Sequence, residues 1–140
     1  MKRSFVALAV ALALAGTVTS CSSDTVEPAA AVEAAAPVRV GVEEFAQLVS
    51  TPGVQIIDVR TPEEFAEGHI AGAVNIPVES SDFRDRVSAL DPAGTYAVYC
   101  RSGNRSQGAV ETMAGAGITG IYELESGTVG WTGEGLDLVR

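Results

Sequence analysis

The sequence predicts an α/β domain with a largely parallel central sheet flanked by helices, and three observations carry that prediction. From Val38 onward, short β-rich runs alternate with segments of helical periodicity. The apolar run Val54-Gln55-Ile56-Ile57-Asp58-Val59 has the character of a buried strand. The run Tyr96-Ala97-Val98-Tyr99 ends in Cys100 and passes through a loop with one glycine and two arginines straight into a helix-compatible segment. At 140 residues the chain holds one such domain plus extra segments.

Those extra segments come first. Met1-Lys2-Arg3 is a basic start, Phe5 to Ala15 is an apolar stretch too short to span a membrane as a folded helix, and Val18-Thr19-Ser20-Cys21 follows. Residues 1–20 are expected to act as an export signal. The small residues before Cys21 resemble a bacterial lipobox, with Val18 where leucine is more usual. That resemblance implies lipidation of Cys21 and an anchor on the outer face of the cell membrane; an ordinary secretory signal with a free Cys21 is the alternative. Ser22 to Pro37, rich in alanine, serine and acids, completes a flexible linker over 21–37.

In the domain over 38–140, Val38-Arg39-Val40 is a short strand. Val42, Phe45, Ala46, Leu48 and Val49 form a helical stripe that Ser50-Thr51-Pro52-Gly53 ends. After the Val54–Val59 strand, Thr61-Pro62-Glu63-Glu64 is a helix start in which Thr61 caps, Pro62 fits the first turn and Glu64 closes a capping box. Gly68-His69 ends that helix, and a third strand lies around Ala73-Val74-Asn75. Ser80 to Leu90 carries Phe83, Val87 and Leu90 at helical spacing, with a stop at Asp91-Pro92-Ala93-Gly94. Thr95 to Tyr99 is the fourth strand, Gln107 to Ala116 the next helix with Gly117 as its C-cap, and Ile121 to Leu124 the last strand. Ser126 to Arg140 is a glycine-rich tail whose Trp131 is expected to pack in the core.

Charge and cysteine usage narrow the chemistry. Removing residues 1–20 takes two cations and no acids, leaving seven arginines against 18 acids and a net charge of −11. That balance repels nucleic acid. Arg101 and Arg105, beside Cys100, stand out against it. One histidine and one available cysteine rule out an ordinary zinc site, which needs about four such ligands. With Cys21 acylated, Cys100 is the only free thiol. A strand-end cysteine is commonly a small buried hydrophobe. Here the arginines, Gly103 and the following helix start argue for a stabilised thiolate, the nucleophilic form. Ligands in parallel sheets sit beyond the carboxyl ends of the strands. Cys100 is at one such end and Asp58 and Arg60 at another, so these three can line one crevice.

Three separated motifs resemble the rhodanese family: Asp58-Val59-Arg60 with Glu64-Phe65 and Gly68-His69-Ile70-Ala71-Gly72-Ala73-Val74-Asn75-Ile76-Pro77; Cys100-Arg101-Ser102-Gly103-Asn104-Arg105-Ser106; and the closing segment with Gly127, Gly130 and Trp131. Ser126 and Asp137 depart from it, standing where glycine and often proline are usual. The resemblance implies a thiosulfate sulfurtransferase without a cofactor. Cys100 would take a sulfane sulfur from a small anionic donor, hold it as a persulfide among the loop amides of Arg101 to Ser106, and pass it to cyanide, a thiol or a protein acceptor. Asp58 and Arg60 join the substrate-binding candidates, or serve as a structural ion pair. His69 falls in a segment that is structural in the family.

Two other readings remain at this stage. A Cdc25-type phosphatase or arsenate reductase resembles Cys-x5-Arg, whereas Cys100 to Arg105 is Cys-x4-Arg, a smaller ring that favours sulfur. A non-turnover persulfide carrier or partner-binding module is the third.

Overall fold

The computed structural model describes residues 35–140. The expected export signal, the expected lipidation at Cys21 and most of the linker lie outside the described residues. The domain runs β1 (Val38–Val40), α1 (Val42–Val49), β2 (Val54–Asp58), α2 (Pro62–Glu67), β3 (Ala73–Asn75), α3 (Phe83–Ser88), β4 (Thr95–Tyr99), α4 (Asn104–Gly115), β5 (Gly120–Leu124) and α5 (Gly127–Gly133). The strands form one five-stranded sheet in the order β1-β5-β4-β2-β3. Every pairing is parallel. The expected α/β fold with helices on a parallel sheet is therefore the observed one.

The two-residue period of a strand sends alternate side chains to opposite faces. Tyr96, Val98 and Cys100 pack with Ile57, Ile121, Phe83, Val87, Val110 and Met113 on the α3 and α4 side. Ala97 and Tyr99 pack with Ile56, Leu124, Phe45 and Trp131 on the other. Phe45 stands edge-on to both Tyr99 and Trp131 at 6.3 Å. Fully burying each such side chain stabilises by about 1.5–3 kcal/mol. Trp131 is core, as its sequence context suggested, and its indole N–H donates to the Asp137 carbonyl at 3.0 Å.

Several elements depart from the sequence-based boundaries. The helix after Cys100 begins at Asn104, so Arg105 and Ser106 belong to its first turn and not to a loop. Its other end falls one residue before the expected one, with Ala116 as the C-cap; Gly117, just beyond, adopts φ +89° and donates to the Ala114 carbonyl, while Ile118 donates to that of Met113. The helix expected over Ser80–Leu90 is confined to Phe83–Ser88. The tail, to which the sequence assigns no element, contains a helix, α5. Ser126 sits at φ −100°, which needs no glycine.

Candidate active site

Cys100 follows the last residue of β4 and is 1% exposed. Three residues on, the chain reverses at Gly103, φ +84°, and enters α4. Only glycine fits there. The conformation is left-handed, and a Cβ would overlap the Glu125 carbonyl oxygen. The reversal aims the Gly103 N–H at the Cys100 Sγ, 3.1 Å away, and the backbone dipoles of Ser102 and Ser106 also favour the charged form of the sulfur. The Ser106 hydroxyl lies 3.5 Å from it. Burial pushes the Cys100 thiol up, but the hydrogen bond a thiolate receives from the Ser106 hydroxyl and the backbone groups of Ser106, Ser102 and Gly103 outweigh it, leaving the thiol below its ordinary value. The positive end of the α4 dipole acts in the same direction.

Helix α5 holds this cradle from behind. The Thr128 N–H donates to the Cys100 carbonyl at 2.9 Å and the Val129 N–H to the Arg101 carbonyl at 3.0 Å. Gly127, φ +57°, lies so close that a Cβ would overlap the Cys100 and Arg101 backbone.

The other sequence-predicted residues fall into distinct places. Ser102 and Asn104 are exposed beside the buried sulfur, as is Arg101, which forms no ion pair among the described residues. Arg105 makes two 2.7 Å hydrogen bonds to the Glu64 carboxylate, tying α4 to α2. Glu64 also closes the capping box with Thr61. Asp58 and Arg60 are 0% and 5% exposed and face one another. The Arg60 Nε is 3.0 Å from both Asp58 carboxylate oxygens, and Nη2 lies 2.6 Å from Oδ2 and 2.7 Å from the Gly68 carbonyl. Their polar atoms are thus satisfied by each other and by the turn after α2. His69 stacks on Phe65 with ring centroids 3.8 Å apart, its Nδ1 3.0 Å from the Phe65 carbonyl, and its backbone bridges to Val139.

The Glu64–Arg105 pair gives a pH dependence of known sign. The Arg105 hydrogen bonds, with those from the capping box, hold the Glu64 carboxyl down at about 2, below the unfolded value of about 4.3. A depressed carboxylate contributes stability that is fully present above the unfolded value and is lost as pH falls through the folded one. The pair is partly exposed, so its contribution is about 1 kcal/mol. In urea titrations, the stability difference between wild type and Glu64→Gln is expected to hold above about pH 5, to shrink as pH falls toward about 2 and to vanish by about pH 1.

One residue of the site escaped the sequence reading. Glu123, on β5, is 1% exposed. It accepts from the Ser106 hydroxyl at 2.6 Å and pairs with Arg39 at 3.0 Å. The available signal was an acid in the otherwise apolar run Ile121–Leu124, at the same strand parity as the core residue Ile121.

A cysteine at the end of a central parallel strand, with the Gly103 N–H aimed at its sulfur at a helix start, defines an α/β protein built to stabilise an anionic sulfur. The family model for the rhodanese-like domain matches residues 41–134. The chain belongs to the rhodanese-like family. It is 36% identical over 94 residues to "Thiosulfate sulfurtransferase 16, chloroplastic" of Arabidopsis thaliana, covering 60% of this chain and 78% of that one. It is 33% identical over 93 residues to thiosulfate sulfurtransferase GlpE of Pseudomonas aeruginosa, covering 66% and 82%. Among solved structures, a rhodanese-related protein from Thermoplasma volcanium superposes with a TM-score of 0.64 at 32% identity, over 73% of this chain and 97% of the other.

Proposed function

We propose that the protein is a sulfurtransferase that moves a sulfane sulfur from thiosulfate or a related anionic donor to a thiophilic acceptor through a persulfide on Cys100. The observation that carries this reading is the buried Cys100 sulfur at the start of α4, with the Gly103 N–H donating to it at 3.1 Å. The thiolate attacks the outer sulfur of the donor. A new S–S bond forms, the donor's S–S bond breaks, and sulfite leaves with the electron pair. The negative charge now rests on the terminal sulfur of the persulfide, and preorganised amide dipoles stabilise such a charge without rearranging. Arg105 is held by Glu64, so Arg101 is the cation that draws the anionic donor. The reading includes export directed by residues 1–20 and a lipid on Cys21, supported by the basic start, the apolar stretch and the small residues before that cysteine.

Intact mass tests the chemistry. A Cys21→Ser background leaves Cys100 as the single thiol. Incubated with thiosulfate and freed of excess, this protein is expected to gain one sulfur atom, which cyanide removes. No gain on freshly reduced protein would sink thiosulfate as the donor. A gain that only a protein acceptor discharges would make it a carrier and not a turnover enzyme.

A further inference from the structure

Behind the cysteine a line of buried hydrogen bonds runs away from the site. Cys100 Sγ lies 3.5 Å from the Ser106 hydroxyl, which lies 2.6 Å from Glu123 Oε1, and Glu123 Oε2 lies 3.0 Å from Arg39 Nε. Cys100, Ser106 and Glu123 are each no more than 1% exposed. A serine hydroxyl has one proton to give. At 2.6 Å that proton belongs to the Glu123 carboxylate, so the hydroxyl turns a lone pair toward the sulfur and the thiol S–H is the donor between them. Ser106 can donate to a thiolate only when Glu123 no longer needs its proton.

We propose that Glu123 is the proton acceptor for Cys100, acting through Ser106, so that the thiol and the carboxylate share one buried negative charge. The S–H bond breaks as a proton passes to the Ser106 oxygen, and the original Ser106 O–H breaks as its proton passes to Glu123. The products are a thiolate, which Ser106 now hydrogen-bonds, and a neutral carboxylic acid. One negative charge is present before and after, and no proton reaches solvent. The charged groups facing the pair are Arg39 from β1 and Arg105 from α4, the latter balanced by Glu64 of α2. Glu123 is a positioning residue, since it meets the sulfur only through Ser106. The inference deepens the sulfurtransferase reading by saying where the nucleophile's proton goes.

The test is the pH profile of iodoacetamide alkylation of Cys100, which needs no sulfur donor, in the Cys21→Ser background. A shared proton makes the thiolate fraction independent of pH below the thiol's own titration. The wild-type rate is therefore expected to level off between about pH 7 and about pH 5. In Glu123→Gln the rate should keep falling about tenfold per pH unit, because every thiolate then releases its proton to water. Ser106→Ala keeps the carboxylate and breaks the path, so it should also fall. A wild-type rate that falls tenfold per unit, or a plateau that survives in both variants, overturns the proposal. If Glu123→Gln does not fold, Ser106→Ala alone decides. Failure of thiosulfate loading with the plateau intact would count against the sulfurtransferase reading alone.

Discussion

Replacing Cys100 with serine is expected to reduce sulfur transfer by at least about a thousandfold while leaving the fold in place. Serine is close in shape, and its hydroxyl can accept from the Gly103 N–H that now meets the sulfur. What it lacks is an accessible anion. The backbone groups and helix end that hold the thiol below its ordinary value have no thiolate to act on, and a neutral hydroxyl cannot displace sulfite from a sulfane sulfur. The measurement is sulfite release from thiosulfate with cyanide as acceptor, alongside thermal unfolding of both proteins. Retention of a tenth of the wild-type rate would place the nucleophile elsewhere.

The largest effect on stability is expected from Arg60→Met. This change strands the Asp58 carboxylate at 0% exposure without its partner and removes the donor to the Gly68 carbonyl. Breaking one side of a buried ion pair costs about 3–5 kcal/mol, because the remaining charge has neither partner nor water. For a domain of this size each kcal/mol lowers Tm by roughly 4–8 °C. The double variant Asp58→Leu/Arg60→Met should lie well above the single one, since it leaves no charge behind. The effect should reach the site indirectly, because Gly68 ends α2, whose Glu64 holds Arg105. Calorimetry showing Arg60→Met within 1 kcal/mol of wild type would mean that water reaches Asp58.

Much of this was legible because the physics is local. The capping box at Thr61 and Glu64 and the apolar strand at Val54 depend on neighbours in sequence, and both stand where expected. The helix α5 did not show itself for the opposite reason. Gly127 and Gly130 weaken helix propensity, yet a Cβ at either would overlap the Cys100 and Arg101 backbone or the Ser126 side chain. Close packing against the distant turn after β4 selects Gly127, and no local pattern records it; at Gly130 the close neighbour is Ser126, one helical turn back. The start of α4 was misplaced because Gly103 marks both the turn and the helix cap, so residues assigned to a loop lie in the first helical turn. Glu123 was overlooked because its partners, Arg39 and Ser106, come from β1 and α4. Only the register Arg39↔Glu123 and the helix above bring them together.

The carbonyls of Cys100 and Arg101 are fastened by α5 on the side away from the sulfur. A peptide unit is rigid and planar, so fixing its oxygen also fixes the direction of the N–H across the same bond. The carbonyl of Arg101 and the N–H of Ser102 share one such unit, so α5 helps to fix a backbone dipole that favours the anionic sulfur. The ordering entropy of the loop is met when the domain folds and not when a donor arrives. Each turnover therefore begins from the same aligned dipoles, and the passing charge finds its solvent already in place.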